Sequence, residues 1–117
     1  MSSSDEPKPN SLRTYPFEVV VRHMHAHHPG CPKETQLAIA TRVSAKEWKG
    51  LKLGAAVGIE LQNFVRHSLT DYDELLRSRI MTREEARTFV APQIEEILRV
   101  WRKPGLKLRA RRPERET

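Results

Sequence analysis

The chain has one cysteine, Cys31, in 117 residues. That excludes an intrachain disulfide framework. Aromatic residues make up only 6% of the sequence, which argues against a base-stacking platform of the kind single-strand binders use. No apolar run approaches the roughly 20 residues needed to cross a bilayer. The opening segment MSSSDEPKPN lacks the hydrophobic stretch of a secretory signal. No segment alternates apolar and polar residues long enough for a strand, since residues 17–22, the best candidate, fit a helix better. Internal repeats are absent. These gaps leave the expectation of a non-secreted protein with no membrane role, cytoplasmic, or nuclear if the host has a nucleus.

What is present is an ordinary globular composition, 38% hydrophobic and 31% charged, enough for one domain with one modest core. The net charge is +6, and its placement is uneven. From Arg99 onward there are eight basic residues against two acidic ones, whereas the preceding 98 residues hold 13 of each. A neutral body with a cationic end suggests a polyanionic partner.

Apolar spacing of three and four residues predicts helices along most of the chain. Pro16 suits a first helical turn. Phe17, Val20, Val21, Met24 and His28 then share a face, and Pro29-Gly30 ends the helix. A second helix is expected from Pro32 to about Trp48, with Leu37, Ala40, Val43 and Trp48 inward. A third is expected from about Leu51 to Leu69, with Leu53, Val57, Leu61, Phe64 and Val65 inward. Gly54 and Gly58, four apart on it, suggest close approach of a neighbouring helix. Thr70 and Asp73 are spaced as a capping box for a short helix through Leu75 and Leu76, and Thr82 with Glu85 forms a second. The last helix carries Ala86, Phe89, Val90, Ile94, Ile97, Leu98 and Trp101, with a kink near Arg87–Thr88 or a restart expected from Pro92. The fold class is therefore all-α, a single small bundle of four to five helices with a kinked C-terminal helix. The domain is expected over 15–103, between disordered segments at 1–14 and 104–117.

The stretch from Arg66 to Trp101 combines Arg66-His67, Thr70, Tyr72-Asp73, the Leu75-Leu76 pair, Arg83, Ala86-Arg87 and the spaced aliphatics Val90, Ile94, Ile97 and Leu98 before Trp101. That combination resembles the DUF2293 family, as do Cys31-Pro32 and Arg42-Val43 upstream. The chain departs from the family pattern at Glu60-Leu61 and Asn63, and at Ser78-Arg79, where a glycine is common. The resemblance implies a shared fold and brings no known activity with it.

Four groups of residues could carry chemistry. His23 and His27 stand i, i+4, with Cys31 a turn further, a spacing that can hold a divalent metal. No second ligand pair accompanies them, and a histidine-rich surface titrating near neutrality accounts for the cluster. His67, Tyr72 and Asp73 could form an acid–base site of hydrolase or nuclease type. Each also has a structural role, with Thr70 and Asp73 as caps and Asp71 favoured at a helix N-terminus. Arg79, Arg83 and Arg87, near Arg77, form either a phosphate-binding ridge or a set of surface ion pairs to Glu84, Glu85 and Asp73. Finally, Arg99, Arg102, Lys103, Lys107, Arg109, Arg111 and Arg112 suit contact with nucleic-acid phosphates. No cofactor is implied. The expected function is non-specific nucleic-acid binding through the C-terminal basic segment. A protein-interaction adapter is the alternative, and an enzyme centred on His67, Tyr72 and Asp73 the weaker one.

Overall fold

The computed structural model describes residues 11–103. The segments 1–10 and 104–117, which hold residues 1–10 of the segment expected to be disordered and all of the basic end with Lys107, Arg109, Arg111 and Arg112, lie outside the described residues. In chain order the elements are β1 (Leu12–Arg13), α1 (Phe17–His27), α2 (Lys33–Ser44), β2 (Trp48–Lys49), α3 (Leu53–Leu69), α4 (Tyr72–Arg77) and α5 (Arg83–Trp101). The fold is all-α apart from the small β1–β2 pair. The α1–α2 hairpin packs on α3, and α5 lies across α3 and α4. Val20, Met24, Ile39, Val43, Val57, Leu61, Val65 and Val90 form the fully buried centre.

The two strands were not legible as strands. Leu12 pairs with Lys49 and Arg13 with Trp48, antiparallel, so residues 12–13, expected to be disordered, are ordered by a long-range partner. Gly50, at φ 67°, follows β2 and its amide donates to the Ser11 carbonyl at 2.9 Å. Helix α2 ends at Ser44, short of Trp48, because the Trp48 indole folds back and donates to the Val43 carbonyl at 3.0 Å. The tryptophan is buried as expected, but from a strand.

The inward faces shift in places. In α2 the buried positions are Gln36, Ile39, Ala40 and Val43, while Leu37 is exposed. Gln36 is tolerated inside because its side-chain amide donates to the Cys31 carbonyl at 3.0 Å. Phe17 and Phe89 are also exposed, and Glu60, which the sequence places among polar surface residues, is buried.

Gly54 and Gly58 are not close-packing positions. A Cβ at Gly58 would meet nothing within 4 Å, and one at Gly54 only the His23 ring. The close approach falls at Gly30, whose amide donates to the Trp101 carbonyl at 2.7 Å and ties the α1–α2 loop to the end of α5.

Of the two capping boxes, the second forms: Thr82 Oγ1 accepts from the Glu85 amide at 3.1 Å, and the Glu85 carboxylate accepts from the Thr82 amide at 2.9 Å. The first does not. Thr70 Oγ1 accepts from the Tyr72 amide and donates to the Arg66 carbonyl, while the Asp73 carboxylate turns to His67. Helix α5 continues through Pro92 without a restart. The missing donor leaves the carbonyl of the exposed Thr88 within reach of water.

Helix α4 ends in a Schellman motif. The Ile80 amide donates to the Leu75 carbonyl and the Arg79 amide to the Leu76 carbonyl, with Arg79 at φ 60°. That backbone conformation favours glycine, and any other residue pays a steric cost of about 1 kcal/mol. Arg79→Gly is therefore expected to raise stability by roughly 0.5–1 kcal/mol, read as a higher denaturant midpoint with an unchanged slope.

Candidate functional site

A cleft of about 440 Å³ opens between α2, α3, α4 and the first turns of α5. Helix α2 supplies Arg42, the turn after it Lys46, and α3 supplies Glu60, Asn63, Arg66 and His67. On α3, positions 60, 63 and 67 recur at three- and four-residue spacing and so share one face. Tyr72 and Leu76 come from α4, Arg83 and Arg87 from α5. Five permanent cations thus line the same cleft as one carboxylate.

That carboxylate, Glu60, is 1% exposed. It accepts from Lys46 Nζ at 2.5 Å and lies 4.0 Å from Arg42. Arg66 is held differently: Nη1 donates to the Asn63 side chain at 2.9 Å, and the guanidinium lies 5.6 Å from the centre of the Tyr72 ring. Its Nε is buried with no hydrogen-bond partner among the described residues. Arg83 and Arg87 are exposed and make no ion pair among the described residues. The surface salt bridges envisaged for them are not formed, since Asp73 pairs with His67 and the nearby Arg77–Glu74 pair involves neither. Arg79 does not line the cleft.

His67, Tyr72 and Asp73 do come together. His67 Nδ1 and Asp73 Oδ1 are 2.7 Å apart, and the Tyr72 ring meets the His67 ring edge-on with centroids 5.2 Å apart. The pair sits at the rim, with both side chains about half exposed. Its evident effect is to fix the imidazole's orientation beside the arginines.

Two further depressions continue along the seam of α3 and α5. A cavity of about 140 Å³ shares Arg66 and Arg87 with the cleft, and a furrow of about 480 Å³ then runs past Glu95 and Glu96 to Arg99 and Arg102. At 1.5 Å per residue, the axial distance from Arg83 to Arg102 is roughly 28 Å. Arg99 is engaged by Glu96 at 2.6 Å. Arg102 and Lys103 are exposed where the chain leaves the domain toward its basic end.

The histidine cluster is arranged otherwise. The His23 and His27 rings are 4.3 Å apart, but Cys31 is fully buried. No group of three or more His, Cys, Asp or Glu suited to a metal occurs among the described residues. Burial, followed by the nearby His23, Arg102 and His27 charges, pushes His28 down to about 4. Burial and then His27 lower His23 as well. His28 therefore does not gain charge near neutrality. An unfolded histidine titrates near 6.5, so between about pH 6.5 and 4 the unfolded chain takes up a proton that folded His28 refuses. Stability is present above that window and is lost as pH falls through it. We expect the melting temperature to drop across this range, and a His28→Gln variant to lose less of it than the parent.

Sequence reasoning singled out Arg83, Arg87, His67 and Tyr72, with Arg66 beside them, but assigned no site role to Arg42 or Lys46. Their i, i+4 spacing (Arg42, Lys46) was a signal within α2 and its following turn. Nothing in the sequence showed that α2 would face α5 across α3. Among the described residues no helix is long and apolar enough to cross a membrane.

No curated protein and no solved structure matches the chain. A family profile described as "Uncharacterized conserved protein (DUF2293)" matches residues 23–102, which include every residue lining the cleft. The chain belongs to the DUF2293 family.

Proposed function

We propose that this domain binds nucleic acid through its phosphates, without reading base sequence. The observation that carries the reading is the cleft, where five cations face one carboxylate and Arg83 and Arg87 have no acidic partner among the described residues. Converging like charges is unfavourable in the free protein and is relieved by an anion. The basic residues Arg99, Arg102, Lys103, Lys107, Arg109, Arg111 and Arg112 extend the same preference from the other end of α5. Tyr15, Trp48, Tyr72 and Trp101 are buried, which favours backbone contacts over stacking.

Anisotropy titrations against duplex and single-stranded oligonucleotides over a salt series test this. Affinity should fall linearly with salt on logarithmic axes, and Arg83→Ala/Arg87→Ala should reduce the slope by up to about two. Deleting residues 104–117 should weaken binding further. Absence of binding to either oligonucleotide in dilute buffer would overturn the reading. A shallow pocket lined by Met81, Glu84, Glu85, Thr88 and the half-exposed Phe89 supports the second reading, a protein-interaction adapter. Under that reading partner recovery survives loss of the basic end.

A further inference from the structure

We propose that the cleft between α2, α3 and α5 is a site for a terminal phosphate monoester, such as the phosphorylated end of a nucleic-acid strand, rather than for an internal backbone phosphate. The proposal rests on the nucleic-acid reading and names the part of the strand this cleft takes.

Charge is the first argument. An internal diester carries one negative charge, whereas a monoester carries about −1.5 to −2 at pH 7. Tracking a backbone calls for cations spread along a path. Here Arg42, Lys46, Arg66, Arg83 and Arg87 converge on one concavity, and along the seam beyond it the next charged groups are Glu95 and Glu96. Shape is the second. The cleft is bounded by buried side chains, Glu60 and Tyr72, and its volume of about 440 Å³ lies in the range of small-ligand pockets, roughly 300–1,000 Å³. Such a space receives a chain end more readily than a passing strand.

The donors suit three non-bridging oxygens. Arg83 and Arg87 stand i, i+4 on α5, so their planar forks can approach one group together. Arg66 has Nη1 committed to Asn63 and is steadied by Tyr72, which orients it in advance. Glu60 engages Lys46 and Arg42 from beneath. That leaves the exposed α5 arginines as the principal ligands.

The test compares one labelled oligonucleotide carrying a 5′-phosphate, a 3′-phosphate or hydroxyl ends, at physiological salt. Adenosine 5′-monophosphate and adenosine are compared in parallel by amide chemical-shift perturbation. A phosphorylated end should bind about tenfold more tightly than a hydroxyl end, which is about 1.4 kcal/mol. Arg83→Ala/Arg87→Ala should erase that advantage, so that phosphorylated and hydroxyl-ended strands bind the variant equally, both more weakly and with a shallower salt dependence than the hydroxyl-ended strand binds the parent. Both substitutions are at exposed positions, and circular dichroism checks that the helices are retained. The monophosphate should shift amides around the cleft, and adenosine should not. Equal affinity for all three oligonucleotides overturns the inference and leaves the nucleic-acid reading standing. So does an advantage that persists in the double variant. If no oligonucleotide binds but the monophosphate does, in an Arg83- and Arg87-dependent way, the monoester site stands and the nucleic-acid reading falls.

Discussion

Gly30→Ala is expected to lower the unfolding free energy by about 3 kcal/mol. The added Cβ would sit 2.8 Å from the Lys103 carbonyl oxygen and 3.1 Å from both the Cα and the carbonyl oxygen of Trp101. All three are backbone atoms, so no side-chain rotation can relieve the clash. Either the α1–α2 loop or the end of α5 must move. Movement lengthens the 2.7 Å hydrogen bond from Gly30 to Trp101 and loosens Trp101, which is 8% exposed. Gly30 needs no unusual φ here, so the expected loss is steric and not conformational. A urea titration of parent and variant measures it. A change within about 0.5 kcal/mol would show that this approach is looser than 2.8 Å implies.

Glu60→Gln should produce two effects of opposite sign. The amide is nearly isosteric with the carboxylate, so packing among Val57, Leu61 and their neighbours is retained. What disappears is the charge that holds Lys46 and Arg42. Removing one partner of a fully buried pair costs 3–5 kcal/mol because the other charge is stranded. Here the cations are about half exposed and can turn to water, so a loss of about 2 kcal/mol is expected. The cleft meanwhile loses the one carboxylate that lines it among the described residues, and polyanion affinity at low salt should rise severalfold. Thermal melts and anisotropy titrations on the same preparation read the two together. Weaker anion binding by a folded Glu60→Gln protein would mean that Glu60 positions Lys46 or Arg42 for the ligand, and its main role would then be orientation.

Helices were legible because their signals are local. The apolar spacing of Val20 and Met24, or of Ala86, Val90, Ile94 and Trp101, needs only the 3.6-residue period to be read. The Thr82–Glu85 box could be read for the same reason, since its partners lie within one turn. Thr70 and Asp73 had similar spacing, yet Asp73 found His67 six positions back, a partner that outcompeted the cap. Trp48 is an intermediate case. Its burial followed from its type, but its element did not, because a two-residue strand depends on Arg13 and Leu12, 35 and 36 positions before it. Leu37 and Phe89 were assigned inward on periodicity alone. In α2 Ala40 and Val43 are buried as expected, but the stripe runs on through Ile39 and Gln36 and leaves Leu37 out, and in α5 Phe89 is left exposed among the described residues.

The basic cleft divides along the same line. Arg83 and Arg87 could be paired on paper because a helix sets their separation, and Arg66-His67 drew attention through the family pattern. The chain's residue order was sufficient to determine a mainly helical body, the start of α5 at Thr82, and the lopsided charge of its end, since each depends on neighbours within a few residues or on counting. Tertiary packing alone decided that Arg42, Lys46 and Arg66 would meet the α5 arginines, that Glu60 would be buried beneath them, and that Gly30 would be the crowded glycine. Those outcomes depend on which helix faces crossed in space, and distances between faces are not encoded in any local period.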